Sequence, residues 1–179
     1  NKLYLNKGNW QFEDITNSAG LACKNVWSTG ATMVDINGDN LMDIYVCKGG
    51  KPGGENRHNE LFVNQGNLTF KESAKEYGLD ITGLSIQAAF FDYDRDGDLD
   101  CYLLNNSIRS IGGFDLIENQ RNIYDAEGNK FFRNDNGFFN DISQEAGIYS
   151  SSIGYGLGIT LSDYNLDGYT DIFLSNDFF

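Results

Sequence analysis

The chain has 179 residues, with 40% hydrophobic and 14% aromatic content, enough for a packed core and too apolar for a disordered tail. Thirteen basic against 26 acidic residues give a net charge of −13, which repels nucleic acid and anionic membrane surfaces. No apolar run reaches the roughly 18 residues that cross a membrane, one histidine (His58) leaves no His-based triad, and three cysteines without CxxC spacing argue against zinc.

The chain opens on Asn1-Lys2-Leu3-Tyr4-Leu5-Asn6, then Phe12-Glu13-Asp14-Ile15-Thr16 and Ala19-Gly20-Leu21. Short aromatic and aliphatic runs separated by Asn and Gly read as a β-hairpin. Next, Ala31-Thr32-Met33-Val34 runs into a cluster of Asp, and Ile44-Tyr45-Val46 runs out of it. Such runs are too short for helices and read as buried strands. Lys48–Arg57, with four glycines, reads as a flexible loop without P-loop context.

The hairpin module returns as Asn59-Glu60-Leu61-Phe62-Val63-Asn64, Phe70-Lys71-Glu72-Ser73 and Tyr77-Gly78-Leu79, and again as Asn129-Lys130-Phe131-Phe132-Arg133-Asn134, Phe139-Asn140-Asp141-Ile142-Ser143 and Ala146-Gly147-Ile148. The flanking strands return too, as Ala88-Ala89-Phe90-Phe91 with Cys101-Tyr102-Leu103-Leu104, and Gly158-Ile159-Thr160-Leu161 with Ile172-Phe173-Leu174. The neighbourhoods of Ala19, Ala74 and Ala146 hint at one helical turn each. Four short strands per repeat make an all-β fold built as the four-stranded antiparallel blades of a β-propeller. In that frame residues 1–14 end a preceding blade, 28–72 and 86–142 are complete blades, and 156–179 begin another. The chain starts inside a repeat without an initiator Met, so further blades of the same parent chain are expected. Cys23, Cys47 and Cys101 read as buried free thiols, with one bridge plus one free thiol as the alternative.

The Asp clusters begin at 35, 92 and 163 and hold eleven of the 26 acids, a density that is self-repulsive unless a cation sits in it. Their sequences, Asp35-Ile36-Asn37-Gly38-Asp39-Asn40-Leu41-Met42-Asp43, Asp92-Tyr93-Asp94-Arg95-Asp96-Gly97-Asp98-Leu99-Asp100 and Asp163-Tyr164-Asn165-Leu166-Asp167-Gly168-Tyr169-Thr170-Asp171, all fit D-x-[DN]-x-D-[GN]-x-x-D. Hard oxygens at alternate positions suit Ca2+. The expected ligands are the side chains of Asp35, Asn37, Asp39 and Asp43, of Asp92, Asp94, Asp96 and Asp100, and of Asp163, Asn165, Asp167 and Asp171. The backbone carbonyls of Leu41, Asp98 and Tyr169 would join them, for about three Ca2+ ions. The sixth position needs a sharp bend, which Gly97 and Gly168 make cheaply and Asn40 tolerates. An EF-hand would place Glu at position 12 and a helix after it; here that position is Val46, Leu103 or Leu174, inside a β-like run.

The alternation of N-x-L-[FY]-x-N…F-x-[DE]-[IS]-[ST]…G-[LI] with the Asp loop resembles the FG-GAP/VCBS repeat family, which includes integrin α-subunit propellers. The nearer likeness is to bacterial surface proteins carrying an ASPIC/UnbV module and to cartilage acidic proteins. The resemblance spans nearly the whole chain and implies a Ca2+-stabilised, seven-bladed propeller outside the cytoplasm, secreted or on the cell surface. Asn40, where the family uses Gly, and the long Ser107–Gly128 segment depart from the pattern.

With every clustered Asp assigned to metal and no GxSxG motif, the segment is not expected to be an enzyme. The expected role is a binding or scaffold module, with a protein or glycan ligand at the Ser107–Gly128 loop through Arg109, Phe114, Arg121 and Tyr124. The alternative is part of a secreted polysaccharide-active enzyme whose catalytic residues lie outside this segment.

Overall fold

A computed structural model of the chain describes residues 1–23, 25–50, 56–107, 120–121, 123–151 and 153–177. It is all-β, with four antiparallel sheets. Strands β1 (Tyr4–Gly8) and β2 (Gln11–Asp14) form a hairpin. The second sheet runs β3 (Ser28–Val34), β4 (Asp43–Lys48), β5 (Glu60–Asn64) and β6 (Phe70–Glu72) in sequential order. The third repeats it with β7 (Ser85–Phe91), β8 (Asp100–Asn105), β9 (Lys130–Asn134) and β10 (Phe139–Asp141). The last pairs β11 (Gly156–Ser162) with β12 (Asp171–Asn176). One helical turn, α1 (Ala74–Tyr77), follows β6. Single turns closed by Ala19 N–H to Ile15 O and Ala146 N–H to Ile142 O stand at the equivalent places.

The repeated module sequence has a hydrogen-bonding reason. Its first Asn is a brace: Asn59 accepts the Lys48 N–H and donates to Tyr45 Oη and Ser85 Oγ, and Asn129 accepts the Asn105 N–H. The acidic residue and the following Ser or Thr close the hairpin. Asp14 accepts from the backbone and hydroxyl of Thr16, whose Oγ1 takes the Leu3 N–H, and Asp141, Ser143 and Phe131 repeat the arrangement. The hairpin tips Asn9-Trp10, Asn67-Leu68 and Asn136-Gly137 all have two successive positive φ angles, the two-residue turn whose twist matches paired strands.

Successive sheets pack face to face through three apolar clusters. Ile15 and Leu21 meet Ile44, Val46 and Phe62; Tyr45, Leu61 and Val63 meet Ala88, Leu103 and Phe132; Phe91, Tyr102 and Phe131 meet Ile159, Leu161, Ile172 and Leu174. The first strands of neighbouring sheets lie side by side: Thr32 Oγ1 donates to Ala88 O at 2.7 Å, and Thr29 Oγ1 donates to Ser85 O. Each first strand carries an irregularity near its start, between Ser28 and Gly30, Ser85 and Gln87, and Gly156 and Gly158, which bends the strand toward its neighbour. Gly30 is required there, because a Cβ would lie within 2.2 Å of Ile86 O. Cys23, Cys47 and Cys101 are free thiols, the last two buried in the core and Cys23 half-buried.

The Lys48–Arg57 loop is described only at its ends, and Arg109 and Phe114 lie outside the described residues. His58 pairs with Thr82 in an isolated bridge, and its Nδ1 lies 3.0 Å from Asp80 O.

Candidate metal loops

Each Asp loop links the first and second strand of its sheet, β3 to β4, β7 to β8 and β11 to β12. Their internal hydrogen bonds repeat nearly atom for atom. The carboxylate at position 1 accepts the N–H groups of positions 5 and 6: Asp35 from Asp39 and Asn40, Asp92 from Asp96 and Gly97, Asp163 from Asp167 and Gly168. The carboxylate at position 5 accepts the N–H of position 7, from Leu41, Asp98 or Tyr169. That bond is the largest influence holding the Asp167 carboxyl below its ordinary pKa.

The sixth position has positive φ at Asn40 (65°), Gly97 (98°) and Gly168 (88°). The fourth does too, at Gly38, Arg95 and Leu166. Two left-handed residues in a nine-residue loop curl the chain back on itself. In the second loop, ligand atoms of Asp92, Asp94 and Asp100 lie within 4.8 Å of one another. The first and third loops offer an Asn at position 3; its amide donates to the carboxylate at position 5, Asn37 to Asp39 at 3.0 Å and Asn165 to Asp167 at 2.9 Å.

The ninth position of the first two loops ties the loop to the sheet. Asp43 and Asp100 are fully buried. One oxygen of each accepts a loop N–H, from Ile36 or Tyr93. The other accepts the N–H of an asparagine on the third strand of the sheet, Asn64 at 2.7 Å and Asn134 at 2.9 Å. Those asparagines close the tie by donating their side chains to Met42 O and Leu99 O. Burial pushes both carboxyls up, Asp100 to about 6. The sequence reading missed this role for Asn64 and Asn134; the signal was the second Asn of the hairpin module, which recurs at 6, 64 and 134.

Neighbouring loops touch. The Arg95 guanidinium of the second loop sits 3.9 Å from the centroid of the Tyr169 ring in the third. Between the first and second loops lies a groove of about 540 Å3 walled by Asn37, Tyr77, Asp98 and Asn136. The Asp98 side chain turns into it, and its carboxyl is raised by desolvation and by the acids around it. A set of carboxylate, amide and carbonyl oxygens with no nitrogen or sulfur donor is chemistry for a hard divalent cation.

At the far end of the strands, Tyr124 is exposed and accepts from Lys130 Nζ at 3.3 Å, and Arg121 is exposed.

A family model for the FG-GAP-like repeat matches residues 1–46, which spans β1 through most of β4 and the whole first Asp loop. A search of curated proteins returns no match.

Proposed function

We propose that the chain is a run of blades of a calcium-stabilised β-propeller, serving as a rigid binding or scaffold module outside the cytoplasm. The observation that carries the reading is the threefold recurrence of one loop conformation, with the same position-1 carboxylate capping the turn and the same two left-handed bends. Without a cation these carboxylates repel; three divalent ions would bring the net charge from −13 to about −7. The FG-GAP-like match over the first loop supports the same assignment. The likeness to ASPIC/UnbV-type and cartilage acidic proteins extends it to the surface or secreted setting, and a seven-bladed ring is the size that likeness favours.

Binding at roughly 10⁻⁴ M is usual for extracellular calcium modules. At about 1 mM free ion each site then adds roughly 1.4 kcal/mol, which counts against a typical total of about 5–15 kcal/mol. Cytosolic calcium would leave sites of that affinity empty, which supports a setting outside the cytoplasm. Catalysis is not proposed for this segment, because the clustered carboxylates are used up as ligands and ties. Ligand recognition is assigned to the Ser107–Gly128 loop, a protein or glycan being the class its Arg and aromatic residues suit.

Thermal unfolding after chelation, followed by titration with Ca2+ and with Mg2+, tests the proposal. The expected result is a rise in midpoint of several degrees at millimolar Ca2+ and a much smaller one with Mg2+. No shift with either ion overturns the calcium assignment.

A further inference from the structure

The third sheet differs from the second at the end of its strands away from the Asp loops. Lys48, the last residue of β4, and Asn105, the last of β8, hold the same position, each five residues beyond the buried Asp of its loop. The backbone N–H of each donates to the brace asparagine of its sheet, Asn59 or Asn129. In the second sheet that position supplies its own cation: the Lys48 ammonium, on a side chain 3% exposed, lies 2.7 Å from Glu60 Oε1. In the third sheet it supplies a neutral amide. Asn105 is 2% exposed, its Nδ2 donates to Gly128 O at 2.6 Å, and its Oδ1 is buried with no hydrogen-bond donor.

Asn105 lines a cavity of about 10 Å3, room for one particle the size of a water molecule or a small cation. Asp125 and Glu127 line it too. Asp125 gives one carboxylate oxygen to the Glu127 N–H at 2.9 Å. Glu127 Oε2 is buried and, like Asn105 Oδ1, accepts no hydrogen bond. The Arg57 guanidinium approaches that oxygen only with Nη2 at 3.9 Å, beyond hydrogen-bond range. The walls are held in place around this space. Asp125 O accepts from the Gly128 N–H at 3.0 Å and from Ser150 Oγ at 2.7 Å, and Gly154 O accepts the Ser107 N–H at 2.6 Å. Glu127 is part-exposed, which sets the cavity close to solvent.

We propose that this cavity binds one divalent cation, held by Asn105 Oδ1, Glu127 Oε2 and the second carboxylate oxygen of Asp125, with water on its open side. Buried acceptors without donors are costly, and one cation relieves all three oxygens at once. A water molecule donates to two of them at most and brings no charge to set against the two carboxylates. Carboxylate and amide oxygens select a hard ion of the Ca2+ or Mg2+ class. The ion does for the third sheet what the Lys48 ammonium does for the second, and it fastens residues 125–128, the close of the Ser107–Gly128 loop, to the end of β8. The site stands at the opposite end of the strands from the Asp loops and does not depend on their binding an ion.

Hydrogen–deuterium exchange read by peptide mass tests the site on the intact protein, first in chelator and then with Ca2+ or Mg2+ up to about 10 mM. The expected result is exchange slowed several-fold by one of the two ions in peptides covering residues 104–107 and 123–129. Asp125→Asn keeps the oxygen that accepts the Glu127 N–H, and Glu127→Gln changes a part-exposed side chain, so both variants are expected to fold as the parent does. Each should lose the ion-dependent slowing in those two peptides while peptides covering residues 35–43 and 92–100 answer the ion as in the parent. Exchange at 104–107 and 123–129 that is the same with and without either ion overturns the proposal and gives the cavity to a water molecule, whatever the Asp-loop peptides do. Slowing there that persists in both variants overturns it as well, since the ion then acts from another site.

Discussion

The ninth residue of the Asp loops distinguishes the proposed ion binding from chain tying. Asp43 and Asp100 each hold a loop N–H with one oxygen and an asparagine N–H of a neighbouring strand with the other. An asparagine in their place presents an amide N–H to one of those donors and leaves a buried N–H unsatisfied. With chelator present, Asp43→Asn or Asp100→Asn should therefore cost about 1–3 kcal/mol in urea unfolding. Part of the loss is offset because burial already disfavours the charge. Asp171→Asn, made where a single bond exists, should cost under about 1 kcal/mol in this chain. In saturating Ca2+ all three variants should lose ion-dependent stabilisation alike. Equal costs at 43, 100 and 171 without the ion would contradict the tie.

At the scale of elements, the strands and loops were legible because punctuation and period both recur. Asn and Gly bracket each hairpin, and the runs on either side of each Asp cluster are short and apolar. The bend at position 6 was legible for the same reason. The bend at position 4 was not, since Arg95 and Leu166 are residues that avoid positive φ and carry no local signal of it. The recurrence of Asn64 and Asn134 was visible but their partners were not, because the carboxylates they tie lie 21 and 34 residues away in the chain. Only the pairing of strands brings them together. The hairpin tips offer a test of this local reading. Asn9 and Trp10 have φ of 50° and 63°, and Trp10 is 99% exposed. Trp10→Gly makes the preferred Asn-Gly turn and gives up almost no packing. It should raise stability by about 0.5–1 kcal/mol, the left-handed penalty removed less the added freedom of the unfolded chain. A fall in the thermal midpoint would mean that Trp10 is held by contacts the fold does not show.

For the whole molecule, the loop charge that the proposed cation would offset also sets how stability answers to pH. Without an ion, burial pushes the Asp100 carboxyl up to about 6 and the Asp43 carboxyl above its ordinary value. Between the ordinary carboxyl pKa and about 6 the folded chain then binds protons that the unfolded chain does not. Stability in chelator should accordingly rise, by about 1–3 kcal/mol, as pH falls from 7 toward 4. Below that range the sign reverses. Asp14, held down to about 2 by the hydrogen bond from Lys2 and by Thr16, contributes stability that is present above the ordinary carboxyl pKa and lost as pH falls toward 2. A bound Ca2+ draws the Asp100 carboxyl down, because ion and proton compete for the same oxygens. In saturating Ca2+ the same descent from pH 7 to 4 should instead lower the midpoint, and the two curves should converge near pH 4. Parallel curves, with calcium worth the same at pH 4 as at pH 7, would show that the ion does not sit on the buried carboxylates, and would move it to the exposed acids at the loop tips.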